Sequence, residues 1–174
     1  EGARSWARAP LAERIALARS MRAGVERNAE RMVREACAAK GLAFDAPVAG
    51  EEWLSSPYAT VRMLRQIEGS LAALASEGNP RLGPAGETAD GRLALRAFPP
   101  NALDAVLFSR VRGEVHLREG VGERELRERS GRFHKAPDHE GRVCLVLGAG
   151  NINAIPPTDV MTKLFNEGKA CVLK

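Results

Sequence analysis

Aromatic side chains are scarce in this chain of 174 residues: five Phe, two Trp and one Tyr make up 5%. No nucleic-acid recognition motif accompanies them, and base-stacking platforms or helix readers need aromatics, a motif or a steep basic stripe. The net charge is only +4, and the excess sits in residues 1–40, which hold nine basic and five acidic side chains while the remainder balances at 17 each. Nucleic acid is therefore not an expected partner. Cysteine is equally sparse. Cys37, Cys144 and Cys171 form an odd set without CxxC spacing, which excludes a disulfide framework and a closed structural zinc site and fits a reducing cytoplasm. Cys144 and Cys171 fall in apolar runs that read as buried strands, where Cys behaves as a small hydrophobe. No apolar stretch approaches the roughly 20 residues needed to cross a bilayer. The leading residues, Glu1 to Trp6, are too charged to read as a secretory signal. Neither a P-loop nor a Ser/His/Asp arrangement of recognisable context occurs. What remains is a chain with 44% hydrophobic residues, enough for one sizeable core.

Two helices stand out. Pro10 suits a first helical turn, and Leu11, Ile15, Ala18, Met21, Val25, Ala29, Met32 and Ala36 recur in steps of three and four until Lys40-Gly41. The apolar face lacks aromatic anchors, so it is expected to dock on the core of its own domain rather than on a membrane. A second helix is expected from Ser56-Pro57, with Val61, Leu64, Ile67, Leu71 and Leu74 as its buried stripe and Glu77-Gly78-Asn79-Pro80 as its stop. Residues 79–91 read as a loop. The period then drops towards two over residues 92–98 and 104–118, which predicts strands of a hairpin or arm. Residues 123–132 are almost all charged, and Pro137-Asp138-His139-Glu140-Gly141 reads as a turn. Within that stretch His134, Asp138, His139 and Glu140 are the one group with metal-ligand chemistry. Two histidines five apart on a loop do not fix three or four ligands, so solvated loop residues are expected.

The densest information lies in residues 142–174. The apolar run Val143 to Leu147 stops at Gly148-Ala149-Gly150, a segment of helical spacing follows, and a second run, Ala170 to Leu173, closes the unit. Strand, glycine turn, helix, strand is the opening of a nucleotide-binding βαβ sheet. Two parallel strands bury little by themselves, so this unit reads as the front part of something larger. As a dinucleotide fingerprint the turn is incomplete, because Asn153 stands where a third glycine or alanine lets helix press on strand. Asn151 adds a different signal. An amide at the carboxyl end of a parallel strand faces the crevice where such sheets bind ligands, and its N–H₂ could donate to a developing oxyanion.

This arrangement resembles the start of the cofactor-binding domain of the aldehyde dehydrogenase superfamily, whose members show a turn ending in Asn, a helix, a glycine turn and a strand ending in Val-Leu-Lys or similar. Asn151, Gly168 and Lys174 fall at the family's asparagine, glycine and lysine without a gap. The resemblance covers residues 142–174. The family's Pro-Trp before the asparagine is replaced here by Ala149-Gly150, and Pro156-Pro157 sit in the helix's first turn, as in a divergent branch such as an acyl-CoA reductase. The resemblance implies an α/β chain with N-terminal helices and the start of a Rossmann-like parallel sheet, an incomplete aldehyde dehydrogenase-like fold. It implies NAD or NADP as cofactor, bound by Gly148, Ala149, Gly150, Asn151 and Lys174. Asn151 would be catalytic, holding the oxyanion, and Lys174 would contact the adenosine ribose. It further implies a small aldehyde or acyl substrate, a nucleophilic Cys and a general-base Glu beyond Lys174, and a homo-oligomer joined through an arm.

The domain reading is then residues 1–91 as the helical part of the cofactor-binding domain, 92–141 as the arm, and 142–174 as the first βαβ unit. The alternative is a non-catalytic nucleotide-binding or assembly module. An ordinary Rossmann dehydrogenase would need an acid roughly 20 residues beyond the glycines, at the end of the second strand. The side chains there are basic, Lys169 and Lys174.

Overall fold

Helix α2 (Leu11–Ala39) is the spine of the molecule, and its apolar steps explain why. The computed structural model describes residues 1–135, 140–148 and 152–174. The stripe read from the sequence faces α4 (Ala59–Glu77). Ala18 meets Leu64, Ile67 and Leu71 there, with Leu11, Ile15, Met21 and Val25 packed around them. Phe165 and Met161, far along the chain, complete this core with 1% and 0% of their surfaces exposed. Burying side chains of that size stabilises by about 1.5–3 kcal/mol each. A smaller cluster joins Val33, Cys37 and Ala49 to Leu42 and Phe44, with the Arg34 guanidinium 3.8 Å above the Phe44 ring.

A short helix, α1 (Gly2–Arg8), precedes α2 and is joined to it through Ala9 and the extended Pro10. The joint is held by a residue that the apolar pattern did not single out. Arg14 is only 3% exposed. Its Nε donates to Ala9 O at 2.9 Å, and its Nη2 donates to Trp6 O at 2.8 Å and Ala7 O at 3.1 Å. Its guanidinium also lies over the rings of Trp6 (4.7 Å) and Phe133 (4.5 Å). A cation thus meets the carbonyls at the C-terminus of α1, the negative end of its dipole, where Trp6 O also accepts from Ala9 N–H at 3.2 Å. Desolvation holds the Arg14 pKa below its ordinary value.

The second helical run starts earlier than Ser56-Pro57. It passes through a 3₁₀ turn (Pro47–Ala49), α3 (Gly50–Trp53) and a π turn (Leu54–Tyr58) before α4. Pro57 therefore lies inside the run. It has no N–H to donate and its ring crowds the carbonyl four residues back, and the widened turn accommodates both. Upstream, buried Glu52 accepts from Lys40 Nζ at 2.5 Å, which ties the end of α2 to α3 and raises the Lys40 pKa.

The middle of the chain is a three-stranded antiparallel sheet in the order β1-β2-β3. Strand β2 (Leu93–Phe98) falls where alternation placed it, but β1 (Ala85–Glu87) lies within the stretch read as a loop. Its three residues pair with Leu93 to Leu95, too few to show a period. The buried residue of β2 is Ala94, while the alternating larger residues Leu93 and Leu95 are only half-buried.

Residues 104–118 are not one strand. Ala102–Leu107 form helix α5, and β3 is confined to Gly113–His116. The helix follows from its start: the Asn101 side chain accepts from Asp104 N–H at 2.9 Å, and Arg62 grips both Asp104 oxygens at 3.0 Å. Local capping and a buried ion pair outweigh an imperfect alternation. The charged stretch also folds. Helix α6 (Glu123–Arg129) carries acids in its first turn and Arg127 and Arg129 in its last, matching the helix dipole. Helix α7 (Arg132–Lys135) follows, and Phe133 and His134 are half-buried.

The chain is thus a mixture of helices and small sheets, compatible with an α/β class. Among the described residues no helix is long and apolar enough to cross a membrane.

Candidate functional site

Strands β4 (Arg142–Val146) and β5 (Lys169–Leu173) pair in parallel, as the βαβ reading requires. Between them α8 (Ile155–Met161) continues through a π turn (Thr162–Asn166). The helical connection folds here because Met161 and Phe165, four apart, drop into the core beside α4. Trp6 fixes it from the other side, donating through Nε1 to Leu164 O at 3.1 Å and meeting the Phe165 ring edge-on. Pro156 and Pro157 occupy the first turn of α8, where the helix needs no N–H from them.

The parallel ladder runs past both strands. Lys174 N–H donates to Val146 O at 3.0 Å, and Gly148 N–H donates to Lys174 O at 2.8 Å. The structure thereby brings together two residues singled out from the sequence, Gly148 and Lys174, side by side at the carboxyl ends of β4 and β5. A Cβ on Gly148 would come within 3.3 Å of both Lys174 O and Pro156 Cγ, so the glycine lets strand end and helix start approach. That is the contact assigned to the third glycine of a dinucleotide fingerprint. Here it is made at Gly148, and Asn153 is left exposed. Ala149, Gly150 and Asn151 lie outside the described residues.

Gly168 closes the unit at the amino end of β5. Its φ is +64°, and a Cβ there would lie 1.9 Å from the Phe133 ring. Only glycine meets both demands. Phe133 was hidden from sequence reading because its place depends on α7 folding back onto the sheet.

The two faces of this sheet differ. Val146 is buried, and Cys144 and Cys171 are half-buried rather than buried as their apolar runs implied. Val143, Leu145, Leu147 and Val172 are 64%, 61%, 65% and 55% exposed. Alternation and register put Val143, Leu145 and Val172 on the other face, so one side of a parallel pair presents apolar side chains to solvent.

Of the group with metal-ligand chemistry, His134 and Glu140 lie among the described residues. His134 lies in α7 with Nε2 2.8 Å from Phe165 O, against the expectation of a solvated loop residue, and Glu140 is exposed. Asp138 and His139 lie outside the described residues. Among the described residues no three His, Cys, Asp or Glu side chains gather as metal ligands. Cys37 is buried in the smaller core.

Helix α5 displays Leu103, Val106 and Leu107, at 68%, 76% and 64% exposure, and Val111 and Val115 of the β3 region are exposed as well. No family model matches the chain, and no curated protein or solved structure matches it either.

Proposed function

We propose that the chain is the N-terminal part of an NAD(P)-dependent oxidoreductase of the aldehyde dehydrogenase type, acting on a small aldehyde or acyl group. The observation that carries this reading is the parallel β4–α8–β5 unit, which sets Gly148 beside Lys174 at the carboxyl ends of its strands. Ligands of open α/β sheets bind at such ends. The residues present fit a dinucleotide: Gly148 and Lys174 are both exposed, side by side at the strand ends.

In this reading the backbone of Gly148, Ala149 and Gly150 lines the nicotinamide end, and Lys174 Nζ binds the adenosine ribose. The cofactor, when bound, supplies a hydride acceptor or donor. Asn151 donates its amide N–H to the oxyanion that forms when a thiolate, supplied from beyond residue 174, adds to the substrate carbonyl. Donors pre-aimed at a developing charge are worth about 2.7–4 kcal/mol each. The exposed apolar face of β4 and β5 becomes the packing surface for further layers of a sheet that is covered on both sides. The apolar face of α5 and β3 becomes the surface that joins subunits.

Asn151→Ala in the full-length protein tests the assignment. Turnover is expected to fall 100-fold or so, as for loss of one oxyanion donor, well beyond any loss of cofactor affinity. Unchanged turnover would remove the oxyanion role. The second reading, a nucleotide-binding or assembly module without chemistry, keeps the nucleotide and loses only the turnover.

A further inference from the structure

Cys144 and Cys171 are direct partners in the parallel ladder. Neighbouring strands run about 4.8 Å apart, inside the Cα separations of roughly 4.4–6.8 Å that a disulfide spans. Registered positions on parallel strands point to the same face, here the face under α8, where Cys171 Sγ lies 3.9 Å from Val160 O. Both thiols are free and only half-buried. Lys163, in the π turn above them, has its Nζ held by Glu167 Oε1 at 2.5 Å. Its charge is felt by both sulfurs, which interact with it electrostatically. An ammonium beside a thiol favours the thiolate, the reactive form.

We propose that Cys144 and Cys171 form a reversible dithiol–disulfide couple, a site of two-electron oxidation by a peroxide. Cys144 Sγ is exposed, whereas Cys171 Sγ is tucked against Val160 O under α8, where burial pushes its pKa up. Cys144 is therefore the attacking sulfur and Cys171 resolves. The Cys144 thiolate attacks one peroxide oxygen and the O–O bond breaks, leaving Cys144 as a sulfenic acid and releasing hydroxide, which takes a proton to become water. Cys171 sulfur then attacks Cys144 sulfur, the S–O bond breaks, and the hydroxide departs with the Cys171 proton as a second water. Two thiols lose two electrons and two protons, and one peroxide becomes two waters. Side chains in this register sit at the strand separation, wider than the relaxed Cβ–Cβ distance of about 3.8 Å. The bond is therefore strained and readily reduced, as suits a transient disulfide in a reducing compartment. Cys37, sealed beneath Val33 and Ala49, is the internal control.

The test treats the full-length protein with one equivalent of hydrogen peroxide, blocks remaining thiols with N-ethylmaleimide, and maps tryptic peptides without reductant. The expected product links the peptides Val143–Lys163 and Ala170–Lys174 with a mass lower by two hydrogens. Dithiothreitol reverses it, and Cys37 is blocked only after denaturation. Cys171→Ser should abolish the link and leave Cys144 as a sulfenic acid trapped by dimedone. Lys163→Met should slow linking several-fold. Separate oxidation of Cys144 and Cys171 without a link, or a link through Cys37 or a second molecule, would overturn the proposal. Equal linking rates in wild type and Lys163→Met would overturn the part given to the ammonium.

Discussion

At the scale of single residues the molecule depends on side chains whose importance comes from position rather than type. Arg14 is the clearest. One guanidinium satisfies three carbonyls at the end of α1 and lies over two aromatic rings. Arg14→Met keeps the apolar stem and removes every one of those bonds. The expected loss is on the order of 3 kcal/mol, read as a lower urea midpoint at unchanged slope, with α1 amides losing hydrogen-exchange protection first. Lysine should not rescue it, since an ammonium has no planar fork to reach three acceptors and lie flat on rings. Gly168 gives a second expectation. Alanine there must adopt a left-handed conformation, costing about 1–2 kcal/mol, and must also displace the Phe133 ring. A double-mutant cycle with Phe133→Ala should show coupling: the clash disappears and the backbone cost stays.

At the scale of elements, the sequence was most legible where a long period repeats. The stripe of α2 faces the core as read from Leu11 to Val25, and that of α4 from Leu64 to Leu74, because repeated apolar steps leave one helical face to bury. Further along α2 the buried face shifts to Val33, Ala36 and Cys37. Legibility failed where a short element takes its shape from an end or from a distant partner. The signal for α5 was present in Asn101 and Asp104, a cap and an acid three residues on, but the period near two read over residues 104–118 masked it. The partner of Asp104, Arg62, is 42 positions away, beyond any local pattern. In the candidate site, Gly148 and Lys174 could be read because both close a strand. The parts played by Phe133 at Gly168 and by Lys163 over the thiols could not, since both need the chain folded back.

The α5 joint also carries a pH dependence. Arg62 and Asn101 hold the Asp104 pKa below the ordinary carboxylate value. Between the two values the unfolded chain binds more protons, so stability rises with pH there. This contribution is fully present above about pH 4, the unfolded value, and is lost as the pH falls through the folded value. Asp104→Asn should lower stability at neutral pH and make its fall across the acid range shallower. An equally steep fall in the variant, measured by urea unfolding at a series of pH values, would contradict the pair's share.

At the scale of the whole molecule, a helical core anchors a parallel strand pair from below and leaves its carboxyl ends and one apolar face open. Phe165 and Met161 belong to both, being core residues that also fix the helical connection between β4 and β5. Core and strand ends should therefore rise and fall in stability together, while the three-stranded antiparallel sheet stands apart through its own short pairings. The function proposed for these strand ends rests on one physical demand, that they bind a dinucleotide. The most direct measurement is a calorimetric titration of the full-length protein with NAD and with NADP, repeated on Lys174→Ala. Saturable binding of at least one of them, weakened in the variant, is the expected result. Failure of both to bind at millimolar concentration, or binding that Lys174→Ala leaves unchanged with exchange protection arising away from Gly148, would contradict it.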